Sequence, residues 1–271
     1  MSINIKKVKT PSLVTKSKLP ASDFVINPYI GCPHACRYCY ASFMKRFTNR
    51  SEPWGEFLDV KVCDRPIELT RLEGKSIFLS SVTDCYNLYE KDFEVTKGIL
   101  EQIKDLNSEV TICTKSDLIL RDIEILKEFK NLTVSFSINT TNSDFQKDID
   151  QASSIESRFR ALRILNDNGI RTVLFMSPIF PYITDFRNVM ERSKDCVKEY
   201  WFENLNLRGD YKRVIMNYVR VKYPQVYEEY KKIYYDKSNV YWEGLENEIR
   251  EYCKQNHVNY KIYFYHERIK K

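Results

Sequence analysis

Residues 76–138 read SIFLSSVTDCYNLYEKDFEVTKGILEQIKDLNSEVTICTKSDLILRDIEILKEFKNLTVSFSI, and their periodicity decides the fold. Residues 76–80 (SIFLS), 109–113 (EVTIC) and 132–138 (LTVSFSI) are short runs rich in β-branched and aromatic residues and read as strands. Between them, Phe93, Ile99, Leu100, Ile103 and Leu106 recur at helical spacing over residues 93–106, and Leu118, Ile119, Ile123 and Leu126 do so over 117–129. Strands separated by whole helices are joined by crossovers, so they run parallel. The rhythm continues outward. Residues 24–30 are extended and stop at Gly31. A helix starts at the capping-box pattern Ser153-x-x-Glu156 and ends at Gly169, residues 171–176 form a strand, a helix opens near Thr184, and residues 199–203 form a strand. Six core strands before residue 205 predict an α/β fold of the partial (β/α)6 TIM-like barrel kind, with a doubly wound sheet as the alternative.

After residue 205 the pattern turns helical, over 209–222, 224–235 and 240–256, with a closing strand over 260–265. This stretch holds most of the 19 tyrosines. Tyr223, Tyr227, Tyr230 and Tyr234 share one helical face, which reads as an amphipathic face packed on the barrel; a base-stacking surface is the alternative. The expected organisation is a basic N-terminal arm (1–20), a barrel core (21–205) and a helical, tyrosine-rich extension (206–271).

The arm carries Lys6, Lys7, Lys9, Lys16 and Lys18 and no acid, which is five of the net +6; the remainder is near neutral. That excludes a domain coated in positive charge, though not a local basic groove. No apolar run approaches the roughly 18 residues of a membrane span. The N-terminus lacks the apolar core and cleavage site of a secretory signal. A soluble, cytoplasmic protein is expected.

Three of the 8 cysteines fall within Cys32-Pro33-His34-Ala35-Cys36-Arg37-Tyr38-Cys39, a C-x3-C-x2-C motif. A chain of this size needs no disulfide staples, and such a cluster reads as metal or cofactor chemistry. Three close thiolates can ligate three irons of a [4Fe–4S] cubane and leave the fourth open. The alternatives are structural zinc with His34 as fourth ligand, closure of the cluster by a distant cysteine, and coincidence.

The motif resembles that of the radical S-adenosylmethionine (SAM) superfamily. Asn27-Pro28-Tyr29-Ile30-Gly31-Cys32, Tyr38-Cys39-Tyr40-Ala41, Ser81-Val82-Thr83-Asp84, Thr114-Lys115-Ser116 and Leu120-Arg121-Asp122 resemble the spore photoproduct lyase-like branch, and most closely the group called radical SAM mobile pair protein B. The resemblance runs over residues 24–205. It implies Cys32, Cys36 and Cys39 as cluster ligands and SAM on the open iron. Ser81, Thr83 and Asp84 stand where relatives receive the methionine amino group, often through a Gly-Gly-Glu run that is missing here; a solvated turn capped by Asp84 is the alternative. Lys115 follows the third strand, where a cation could pair with the methionine carboxylate. Arg158 is a second candidate for that carboxylate, or a plain surface arginine. Ser135, Ser137 and Asn139 alternate along the fourth strand and its exit on one face, and by resemblance Ser137 and Asn139 face the ribose and methionine. Tyr38 would meet the adenine through its backbone, with Pro178 flanking it.

The implied activity is reductive cleavage of SAM to a 5′-deoxyadenosyl radical that abstracts hydrogen from a substrate. Nucleic acid is the substrate class favoured by the lyase resemblance, with a peptide, protein or small metabolite as alternatives. A non-catalytic iron–sulfur or zinc module is the alternative of another class. Expected partners are an electron donor of flavodoxin or ferredoxin type and a second radical SAM protein. Photoproduct lyases use a cysteine near this loop to return hydrogen to the substrate. The Ser-x-x-x-Asp framework aligns that position with Ser81 and not Cys85, so Cys85 is either a separate hydrogen donor or a small core residue.

Overall fold

The structure is a computed structural model that describes residues 3–19 and 22–264. The chain opens with β1 (Asn4–Lys9), β2 (Val14–Lys16), β3 (Phe24–Ile26) and β4 (Tyr29–Ile30), and returns after a long loop in β5 (Phe57–Val62). Helix and strand then alternate through α1 (Leu69–Leu72), β6 (Ser76–Leu79), α2 (Glu90–Phe93), α3 (Val95–Ile103), β7 (Glu109–Thr114), α4 (Ile123–Lys127) and β8 (Leu132–Ser137). The alternation continues with α5 (Ser143–Ile149), α6 (Ile155–Asp167), β9 (Thr172–Ile179), α7 (Phe186–Ser193) and β10 (Glu199–Asn204). Helices α8 (Gly209–Lys222), α9 (Tyr227–Tyr234) and α10 (Val240–Gln255) and strand β11 (Asn259–Tyr263) follow.

The main sheet has eight strands in the order β11-β10-β9-β8-β7-β6-β3-β2. Its pairings are parallel except at the edge, where β2 runs antiparallel to β3. Strands β3 and β6 to β10 are the six expected ones, and they make a partial TIM-like barrel. Period-two geometry gives each strand two faces. Ile77, Leu79, Val110, Ile112, Val134 and Phe136 are buried in one core with Ile99, Leu100, Ile103, Phe159 and Leu162 of the covering helices. Each fully buried aliphatic or aromatic side chain of this kind contributes about 1.5–3 kcal/mol. On the other face, Phe78 pairs with Thr111, Cys113 with Ser135, and Ser137 with Phe175. That second face lines the barrel lumen and becomes polar toward the strand C-termini, the end where parallel α/β folds bind ligands.

The structure corrects several expectations. The lysine-rich N-terminus is not a separate arm: β1 pairs in parallel with β5 along its whole length, and β4 closes the other side of β5 to give a second sheet, β1-β5-β4. The 24–30 strand breaks at Asn27-Pro28 into β3 and β4, so the chain leaves the main sheet for the small one. Residues 93–106 divide at Glu94, which has φ 47°, and residues 117–129 begin as a 3-10 helix, Asp117–Asp122. The cap of α6 is Ser154, which accepts from Ser157 N–H at 3.1 Å, while Ser153 binds Asp117 instead. Tyr265, the end of the expected closing strand, lies outside the described residues. Tyr223 and Tyr230 pack with Tyr218, Phe145 and Tyr234, so the tyrosine face is absorbed in packing. No helix among the described residues is long and apolar enough to cross a membrane.

Candidate functional site

The three cysteines sit on the loop between β4 and a 3-10 helix, Tyr40–Phe47. Gly31 opens it with φ 84°, and a Cβ there would lie 2.4 Å from the Phe57 carbonyl oxygen, so only glycine fits. Within the loop, Ala35 N–H donates to Cys32 O (3.2 Å) and Cys39 N–H to Cys36 O (3.1 Å). The loop is hung from the end of α5: Arg37 N–H donates to Ile149 O (2.9 Å) and Gln151 N–H to His34 O (2.7 Å). Cys32 is buried, and Cys36 and Cys39 are half-buried. Burial pushes the Cys32 thiol well above its ordinary range and Cys36 up to about 12, although Lys115 pulls Cys36 down. Thiolates here need a bound cation to hold their charge.

The segment after β6 fastens this loop to the barrel. Ser81 Oγ accepts from Asn27 Nδ2 at 3.0 Å, and Thr83 Oγ1 donates to Gly31 O at 2.8 Å. The Asp84 carboxylate is buried and accepts from Thr114 Oγ1 (2.8 Å), Lys115 N–H (2.8 Å) and Tyr86 N–H (2.9 Å). His34 Nδ1 lies 3.4 Å from it. Burial works against the charge, but His34, the Lys115 N–H and the Thr114 hydroxyl win and hold the carboxyl at about 2. Asp84 is therefore neither a solvated turn residue nor an open acceptor: its oxygens join the cysteine loop to the exit of β7.

Lys115 rests its ammonium 5.9 Å from the centre of the Tyr38 ring and has no hydrogen-bonded partner among the described residues. Burial opposes its charge, and the surrounding Cys36, Cys113 and Asp150 more than compensate. Tyr38 turns its ring into the core against Phe180. Arg158 is not on the surface. It is fully buried, pairs with Asp150 at 2.5 Å and donates to Ser153 O at 2.7 Å, so its guanidinium is occupied in holding Asp150. On β8, Ser135, Ser137 and Asn139 are all buried. Ser137 Oγ donates to Ser177 O and Asn139 Nδ2 to Pro178 O. Ser135 Oγ and Asn139 Oδ1 are buried with no hydrogen-bond partner among the described residues. Cys85 has no exposed surface and lies in the main core, and burial pushes its thiol well up. Of the two readings of Cys85, full burial in the core favours the small core residue over the hydrogen donor.

Sequence reasoning missed the residues beside these. Cys113 pairs across the sheet with Ser135, Ser177 Oγ donates to the Glu203 carboxylate, and Tyr40 OH bonds the Ser81 carbonyl. The alternation noticed in Ser135 and Ser137, extended across the register, would have found Cys113 and Ser177.

The arrangement fits a cubane with SAM beside it. Three thiols share one short loop, an unpartnered ammonium stands next to them, and two orphaned acceptors face the same strand ends. His34 is turned to Asp84 and so does not stand beside the three thiols as a fourth ligand.

The sequence profile of the Radical SAM superfamily matches residues 26–193. An uncharacterised protein of Methanocaldococcus jannaschii is 40% identical over 229 residues, which is 83% of this chain and 86% of that one. The anaerobic magnesium-protoporphyrin IX monomethyl ester cyclase of Synechocystis is 26% identical, over 60% of this chain and 30% of its own length. Among solved structures, spore photoproduct lyase complexed with a dinucleoside spore photoproduct superposes with a TM-score of 0.60 at 18% identity. That likeness covers 82% of this chain and 66% of the lyase. Streptococcus suis SuiB bound to S-adenosylmethionine gives 0.55 at 15% identity, over 89% and 49%. With its cysteine loop at the C-terminal end of a six-stranded parallel half-barrel, the chain belongs to the radical SAM superfamily.

Proposed function

We propose that this chain is a radical SAM enzyme that holds a [4Fe–4S] cluster on Cys32, Cys36 and Cys39 and binds SAM across the ends of β6 to β9. When bound, the two cofactors supply reductive cleavage of SAM to methionine and a 5′-deoxyadenosyl radical that takes hydrogen from substrate. Lys115 pairs with the methionine carboxylate, a charge-assisted contact for an ammonium with no hydrogen-bonded partner among the described residues. Asn139 Oδ1 and Ser135 Oγ accept or share hydrogen bonds from the bound ligands, which removes the cost of two orphaned polar atoms. Asp84 and Arg158 act by position: one ties the cysteine loop to Lys115, the other holds Asp150 beneath that loop. Cys113, Ser177 and Glu203 line the lumen where substrate lies. The spacing of the three cysteines on a loop braced at the barrel mouth is the observation that carries this function.

Nucleic acid is the substrate class proposed first. Its support is the fold shared with a lyase solved with a dinucleoside photoproduct. The tyrosines do not add to it, since the tyrosine face is packed, whereas Lys6, Lys7 and Lys9 stay exposed on β1.

The test is anaerobic reconstitution with iron and sulfide, reduction in the presence of SAM, and mass spectrometry for 5′-deoxyadenosine with and without oligonucleotide. About four irons per chain are expected, lost in Cys32→Ala, Cys36→Ala or Cys39→Ala. Tight stoichiometric zinc with no iron-dependent absorbance overturns the function, and 5′-deoxyadenosine formation indifferent to any nucleic acid overturns the substrate class.

A further inference from the structure

We propose that the turn Trp54-Gly55 roofs the cysteine loop, and that Trp54, by donating its indole N–H to the Cys39 sulfur, raises the reduction potential of the cluster held there. This inference rests on the radical SAM function proposed above.

Residues 54–57 meet the cysteine loop at three points. Phe57 closes over its start, where its carbonyl oxygen leaves no room for a Cβ on Gly31. Gly55 lies over its middle. It is buried with φ 99°, a backbone region that favours glycine, and a Cβ there would stand 2.9 Å from the Ala35 Cβ. Trp54, half-buried, reaches its end. Burial pushes the Cys39 thiol up, and the strongest influence against burial is a hydrogen bond with the Trp54 side chain, ahead of the Ala41 and Ser42 N–H groups and of Lys115. Indole carries a donor and no acceptor, so in that bond the nitrogen gives and the sulfur receives.

The turn is fixed from both sides. Glu56 N–H donates to Pro53 O at 3.1 Å and closes it, and Asn4 N–H of β1 donates to Glu56 O at 3.0 Å. The Trp54 ring stands edge to face with Phe57, centroids 5.8 Å apart, and the Arg50 guanidinium carbon lies 5.2 Å from the Phe57 ring centre. Trp201 shows the contrast, since its indole N–H goes to the Glu199 carboxylate at 2.8 Å. A neutral thiol is a weak acceptor and a thiolate a charged one, so the Trp54 bond strengthens when Cys39 serves as a ligand. An added electron places more negative charge on the ligand sulfurs, and an N–H aimed at one of them favours that state. Trp54 is thus a positioning residue that acts through Cys39 and makes reduction easier.

The experiment is an EPR-monitored redox titration of the reconstituted protein without SAM. It compares the unaltered chain with Trp54→Phe, which keeps a flat ring and loses the N–H, and with Trp54→His, which keeps a ring N–H. Each should hold about four irons per chain. At one fixed solution potential, the ratio of reduced to oxidised cluster should be about ten-fold lower in Trp54→Phe, a midpoint about 59 mV more negative for one electron. Trp54→His should recover part of the difference. Electron–nuclear double resonance on the reduced protein should show one proton coupling, exchangeable in D2O, that is missing from Trp54→Phe. A Trp54→Phe midpoint equal to the unaltered one at full iron content overturns the role of Trp54. Loss of iron from both variants also overturns it, because the indole would then matter for its bulk and not for its N–H. An unaltered protein that takes up no reducible cluster overturns the enzyme function instead, so the two failures are distinct.

Discussion

Replacing Asp84 separates a residue that holds the site together from one that touches SAM. Its carboxylate takes three hydrogen bonds and faces His34, inside a buried site. Depression from an ordinary carboxylate value to about 2 corresponds to about 2–3 kcal/mol of ionic stabilisation. Asp84→Ala removes that and leaves the Thr114 hydroxyl and two N–H groups without their acceptor, at about 1 kcal/mol or more each where water does not reach. Because the hydrogen bonds from Lys115 and Thr114 are themselves among the causes of that depression, the two figures overlap and the loss is about 3–4 kcal/mol, which for a chain of this size lowers Tm by about 6–16 °C. The assay is thermal unfolding of the protein without iron or SAM, alongside Asp84→Asn, which keeps the shape and loses the charge. Because the folded pKa is depressed, the contribution is complete above about pH 4–5 and is lost as pH falls toward 2. The gap between the unaltered protein and Asp84→Asn should therefore close on acidification. If metal-free Asp84→Ala melts within a degree of the unaltered protein at neutral pH while failing to bind SAM, Asp84 is a cofactor contact and the bracing role is wrong.

Gly31→Ala places a methyl group 2.4 Å from the Phe57 carbonyl at a positive φ; it should cost about 1–3 kcal/mol in urea unfolding and lower iron uptake. Arg158→Met strands the buried Asp150 charge and should destabilise by about 3–5 kcal/mol, with Arg158→Lys recovering only part because it cannot reach both Asp150 and the Ser153 carbonyl; a loss below about 1 kcal/mol would show that Asp150 finds another partner. Cys85→Ala should leave both 5′-deoxyadenosine and final product unchanged, as measured separately by mass spectrometry; continued SAM cleavage with lost product would return Cys85 to the chemistry.

The six barrel strands were legible because their apolar runs and the helices between them obey two clean periods. Strands β1 and β5 were not. NIKKVK half-buries only Ile5 and Val8 among its lysines, and its partner begins at Phe57, far along the chain. The C-x3-C-x2-C loop and Lys115 could be read locally, since spacing and strand order place them. The roles of Asp84 and Arg158 could not, because their partners come from segments distant in sequence: His34 and Thr114 for one, Asp150 and the Ser153 carbonyl for the other. Burial of Cys85 was likewise invisible, being set by how α2 and α3 cover the end of β6. Glu203 is a residue of ordinary strand sequence that becomes notable only when the register sets it beside Ser177.

The small sheet has a consequence for how the molecule is assembled. Strand β4 feeds the cysteine loop, and it is held by β5, which is held in turn by β1. During synthesis the cysteines emerge before β5 exists, so the loop is loose when its thiols first meet solvent. It takes its final shape only when Phe57–Val62 slides between the two earlier strands and the Phe57 carbonyl closes over Gly31. On the function proposed above, cluster loading should then follow completion of this three-stranded clasp, with the lysine-rich opening segment as its catch. A peptide competing for β5, or a fusion that pulls β1 away, would leave a barrel that still folds and a cysteine loop that never sets.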